Sequence, residues 1–183
     1  MKRVLTAVCC IALVVPAFGQ KKGGGEKASG DQQFVDFAAQ TDMVEANIGQ
    51  LAADKGDSQQ VKDFAQSLVT DHTSDFAQLK NAAQQASPAL NVPDAIDAMH
   101  NKSMIDPFQK LKGAAFDKKF AQEMVAGHTK AVAMYKKQAA DAKDPAIKSY
   151  AETALPVLQK HLDAAKDLMK AKPAAKGGAA AAQ

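Results

Sequence analysis

The chain has 183 residues, with 23 Lys and Arg against 20 Asp and Glu, 5% aromatic residues, no Trp and two cysteines. That length fits one ordinary domain, and runs rich in Ala, Gln, Lys and Asp with few aromatics favour helices over sheets. The net charge of +3 falls to about +1 once the leader described next is set aside, which leaves too little excess charge for electrostatic binding of nucleic acid.

Met1-Lys2-Arg3 is a basic start and Val4 to Val15 an apolar run, too short to span a bilayer. Small residues at Ala17 and Gly19 then make residues 1–19 a predicted signal peptide, cleaved before Gln20. The expected location is outside the cytoplasm: the periplasm first, with peripheral attachment to the envelope or release to the medium as alternatives. Cys9 and Cys10 leave with the leader, so the mature chain is expected to have neither disulfide nor thiolate chemistry. No integral membrane segment is expected in the mature chain.

Residues 20–30 read as a flexible linker and 170–183, an Ala/Lys/Gly tract, as a disordered tail. Residues 31–169 should form the folded part. The first predicted helix spans about 31–54, with Phe34, Phe37, Ala38, Val44, Ile48, Leu51 and Ala52 on one arc. A second starts at Asp57 or Ser58, where Asp57 and Gln60 have capping-box spacing, and closes near Ser87 ahead of Pro88. A long connection to Gly113 has room for short helices at about 94–105 and 107–112. The third long helix spans about 114–142. The fourth opens at Asp144-Pro145, a strong start signal, and Pro156 should kink it. Two tight hairpins joined by a long crossover predict an all-α, ferritin-like four-helix bundle.

Ionisable residues on the apolar arcs are the candidate site. At 100° per residue, Glu45 lies about 20° from Phe34 and His72 about 20° from Val61, while His128 and His161 lie about 40° off their arcs. Each long helix therefore offers a ligand to the interior, and the axial estimates admit either one polar layer or two. Neutral imidazoles with a carboxylate suit a transition metal, with iron, zinc and copper the candidates. Asp71, Asp117 and Glu123 are candidates for orienting those ligands. The bland alternative is a hydrogen-bonded layer that fixes helix register. His100, in the connection, is expected to be exposed, and Tyr135 and Tyr150 are expected at the edge of the core.

Signatures of catalysis are missing. No Glu-x-x-His precedes any histidine, which argues against a carboxylate-bridged di-iron centre, and there is no nucleophile elbow, P-loop or dinucleotide fingerprint. Lysines 118, 119, 130, 136 and 137 read as a solvated face.

The run of Phe34 and Phe37, Glu45, Gly49 to Ala52, Val61 to Ala65 and Asp71-His72 resembles the start of an exported bacterial family of unknown function. The second half is similar too: Gly113 and Phe116-Asp117 ahead of His128, then Leu155-Pro156 ahead of His161-Leu162. The resemblance covers about 34–169. It implies a ferritin-like bundle and an exported, periplasmic or outer-membrane-associated location, and it carries no activity. The resulting expectation is an exported helical bundle of unassigned role that binds metal through Glu45, His72, His128 and His161. The alternatives are a structural or interaction module of the cell envelope, which predicts an apolar patch on the crossover around Met99 to Phe108, and a metalloenzyme, which needs an open coordination position.

Overall fold

The computed structural model describes residues 29–171; the predicted leader, most of the linker and the C-terminal tract from 172 lie outside the described residues. Helix α1 spans Gly30–Lys55, α2 Gln59–Gln85, α3 Ala98–Ile105, α4 Gly113–Asp141 and α5 Pro145–Lys170, with a 3-10 turn at Asp106–Phe108. The chain is an all-α, ferritin-like bundle. Helices α1 and α2 form one antiparallel hairpin and α4 and α5 the other, and the hairpins meet through α2 against α5 and α1 against α4. No described helix is long and apolar enough to cross a membrane.

The helix starts follow local chemistry. Ser29 accepts from Gln32 N, Ser58 from Val61 N at 3.3 Å, and Asp144 from Ala146 N at 2.8 Å, so each satisfies an N–H that its helix leaves unpaired. Of the two predicted starts for the second helix, Ser58 is the cap and Asp57 is not. Helix α4 lacks a side-chain cap; Gly113 enters it with φ +57, a left-handed turn that favours glycine. The predicted kink at Pro156 does not interrupt α5, which stays helical on both sides.

Both hairpin turns are held from the opposite hairpin. Asp31, at the start of α1, accepts from Lys143 N and Asp144 N in the α4–α5 turn and from Gln138 Nε2. Asp117, at the start of α4, accepts from Asp57 N and Ser58 N in the α1–α2 turn, both at 2.8 Å. Asp31 and Asp117 are 86 positions apart, as are Asp57 and Lys143, and Ser58 and Asp144, so the two hairpins use one device twice.

The crossover lies along α1, where the Gln40 side chain pairs with Ala95 O and Asp97 N. It does not present the apolar patch expected of an interaction module. Phe108 is fully buried against Phe116, Met104 and Ile105 pack on the core, and Met99 alone of these stands out at 83% exposed. The core falls into two clusters. One gathers Phe34, Val35, Leu79, Tyr135, Ile147 and Tyr150; the other gathers Ile48, Phe64, Leu68, Phe116, Phe120 and Met124. Polar residues occupy the layer between them.

Candidate metal centre

His72 of α2, His128 of α4 and His161 of α5 meet in that layer. All three are at least 98% buried, and their ring centroids lie 5.3–5.7 Å apart. One ring nitrogen of each lies within 4.8 Å of the others, a group able to hold a metal ion. The helical register explains the convergence. Each histidine sits one turn from a core residue: His72 after Leu68, His128 after Met124, and His161 three residues after Leu158. The structure has one polar layer here, which resolves the choice between one and two.

Each imidazole is fixed at its far nitrogen. His72 Nδ1 pairs with Asp42 Oδ1 at 2.9 Å, His161 Nε2 with Asp71 Oδ2 at 2.8 Å, and His128 Nδ1 with the Met124 carbonyl at 3.0 Å. A carbonyl only accepts, so His128 Nδ1 carries the proton and Nε2 the lone pair. The remaining nitrogens, His72 Nε2, His128 Nε2 and His161 Nδ1, have no hydrogen-bond partner although they are buried. An unmade hydrogen bond in a protein interior costs about 1–3 kcal/mol, and a packing layer would be expected to satisfy such atoms. Free nitrogens on rings held at the other nitrogen by a carboxyl or a carbonyl are the arrangement by which proteins orient metal-binding histidines. The donor set therefore fits a transition metal. Nitrogens on one four-coordinate ion lie about 3.3 Å apart, so drawing the rings together needs movements of about an ångström.

Electrostatics favours neutral rings. Burial lowers the basicity of all three: His128 falls to about 3, with His72 and His161 adding to the effect, while nearby carboxylates partly oppose the shift at His72 and His161. Neutral imidazole is the form that binds metal.

The other predicted residues are distributed unevenly. Glu45 is buried in the same layer, but its carboxylate is not among the converging atoms. Its Oε2 has no partner, and a Cβ on Gly127 would stand 3.1 Å from its Oε1, so α4 leaves room for this side chain by carrying glycine there. Burial pushes Glu45 up to about 7, against the pull of His72. Asp71 contacts His161. Asp117 does not orient a histidine; both its oxygens hold the α1–α2 turn, because its place at the start of α4 puts it at the end of the bundle. Glu123 pairs with Lys119 at 2.5 Å on a half-buried face rather than with a ring nitrogen, and it repels the Glu45 carboxylate. His100 is exposed, as expected.

Two carboxyls escaped the sequence reading. Asp42, 1% exposed, holds His72, and Asp75 accepts from Tyr150 Oη at 2.8 Å. Burial raises both, Asp75 to about 7 and Asp42 well above the ordinary carboxylate range. Asp75 lies about 40° from Val61, the same offset that drew attention to His128 and His161, so applying the arc test to aspartates would have found it. Asp42, about 80° from Phe34, would have escaped that test. Tyr135 and Tyr150 lie deeper than the predicted core edge: they are 0% and 6% exposed, and their hydroxyls are 3.0 Å apart beside Asp75.

Solved structures of similar fold include the protein CopM in its Cu(I)-bound form (TM-score 0.63, 17% identity, 79% of this chain and 97% of that one). CopM in its Cu(II)-bound form gives a TM-score of 0.64 at 17% identity over 76% and 95%. A DUF305 fragment from Deinococcus radiodurans gives 0.65 at 13% identity over 78% and 97%. Identities this low show a shared fold. No curated protein sequence matches the chain significantly. The family model for DUF4142, a domain of unknown function, matches residues 19–168, and the chain belongs to that family.

Proposed function

We propose that this is an exported copper-binding protein that holds one ion on His72, His128 and His161. The observation that carries the reading is the set of three buried, unpaired ring nitrogens, each on an imidazole fixed from behind. Imidazole suits copper, zinc, iron and nickel, and for divalent ions at a given nitrogen site copper binds most tightly. The copper-bound forms of CopM, a protein of the same fold, support copper over the others. Glu45 is the carboxyl that balances the ion's charge, since a nearby cation favours its ionised form. Three protein ligands leave an open position on the ion. Binding and carriage of the ion, rather than catalysis, is the function we infer, and the predicted leader and periplasmic location agree with it.

The test is equilibrium titration of the mature, untagged protein with copper against a competing chelator, alongside H72A, H128A and H161A. Loss of a residue that only orients a ligand lowers metal affinity about 10–100-fold, so removing a ligand should lower it by at least about 100-fold. One equivalent bound by the wild-type protein and that loss in each variant are expected. No uptake by the wild-type protein, or unchanged affinity in all three variants, would overturn the reading and leave the layer a packing device.

A further inference from the structure

A cleft of about 140 Å³ runs between α2 and α5 from the surface to the histidine layer. Ser74, Thr153 and Val157 on its rim are exposed, while His72 and His161 at its floor are each 2% exposed. Both floor residues carry a ring nitrogen without a partner, His72 Nε2 and His161 Nδ1. His128 lies on α4 and is not part of the lining. Asp71 spans the two zones: its side chain is 34% exposed, and its Oδ2 holds His161 Nε2 at 2.8 Å.

We propose that this cleft is the port through which the ion of the histidine cluster enters and leaves, and that Asp71 is its transfer ligand. The inference rests on the copper reading above. A cation approaching the rim meets the Asp71 carboxylate first, and a negatively charged cleft with apolar walls concentrates cations and speeds their capture. The same carboxylate holds His161, so an ion drawn to Asp71 arrives beside a ring that can turn its free nitrogen to it. His72 stands on the same floor, and His128 closes the set from behind. Release runs the same way in reverse.

Stopped-flow measurement of copper(II) uptake, and of its release to excess chelator, tests this on the whole mature protein. Val157→Trp fills the rim at a residue that supplies no ligand. Both rates should fall together by roughly tenfold or more while the equilibrium affinity stays near the wild-type value. Val157 is 40% exposed, so the bulky residue has room to fold, and Ser74→Trp on the opposite wall provides a second block. Asp71→Asn should slow uptake and flatten its dependence on ionic strength. Wild-type uptake and release rates in both tryptophan variants would overturn the port. Faster release in Asp71→Asn with unchanged uptake would make Asp71 a positioning residue for His161 and overturn its role in transfer. A wild-type protein that takes up no copper fails the functional reading itself, an outcome separate from binding with unaltered exchange.

Discussion

His128 is the residue whose protonation most clearly separates the folded from the unfolded chain. Its ordinary value of 6.5 applies when unfolded, and burial lowers it to about 3 in the bundle. Between those values the unfolded chain binds the extra proton, so this histidine's contribution to stability is full above pH 6.5 and is lost as pH falls toward 3. Wild-type protein should therefore lose stability relative to H128Q by on the order of 1 kcal/mol per pH unit across that window, read from urea unfolding without metal. A pH-independent difference would show that the ring is already wet. Glu45 and Asp75 act in the opposite sense: with values raised to about 7, they favour the fold at acid pH and oppose it as pH rises through 7. Asp42 gives a second residue-scale prediction. D42N keeps the shape but replaces the carboxyl that pairs with His72 Nδ1, and copper affinity should fall about 10–100-fold with the fold intact. Unchanged affinity would detach Asp42 from the site. The three histidines were legible because a histidine on an apolar arc is conspicuous. Asp42 was not, because its position on the arc is marginal and its role depends on a partner in another helix.

The element scale is governed by what holds the turns. Asp31 and Asp117 each satisfy two backbone N–H groups of the opposite hairpin, and losing a partner to such groups costs about 1–3 kcal/mol. D31A and D117A should each lower stability by that order in denaturant unfolding. Copper affinity should stay at the wild-type value in D117A, since Asp117 is engaged with the α1–α2 turn and not with a histidine. A specific loss of copper binding in D117A would return Asp117 to the site. The boundaries of the long helices were readable to within about two residues, because Ser58, Asp144-Pro145 and the glycines and prolines of the connections act locally, whereas the short helix predicted from about 94 begins at Ala98 and the one predicted at 107–112 is a 3-10 turn at Asp106–Phe108. The grip of Asp117 on a turn some 60 residues earlier was not readable, since the pairing exists only once the hairpins have docked.

For the whole molecule, four amphipathic arcs and two short turns were enough to specify the bundle and its long middle crossover. The packing of that crossover was not: an interaction module would have shown an apolar patch around Met99 to Phe108, whereas Phe108 is buried against Phe116. Both core clusters lie between Phe34 and Ala165, and the first cap is Ser29. A chain trimmed to residues 29–171 should therefore unfold within about 5 °C of the full mature protein, a shift equivalent to about 1 kcal/mol or less. A larger drop in calorimetry would mean that the trimmed segments contribute to the fold. Copper should also stabilise the bundle, because an ion that binds only the folded state raises its stability in proportion to the logarithm of ligand excess.

The central claim is that three histidines from three helices share one ion. X-ray absorption at the copper edge on protein loaded with one equivalent tests it most directly. The account predicts three imidazole nitrogens at about 2.0 Å, with the outer-shell scattering of histidine rings. A shell of oxygen alone, or one imidazole with the remainder oxygen, would contradict it and place the copper elsewhere on the chain.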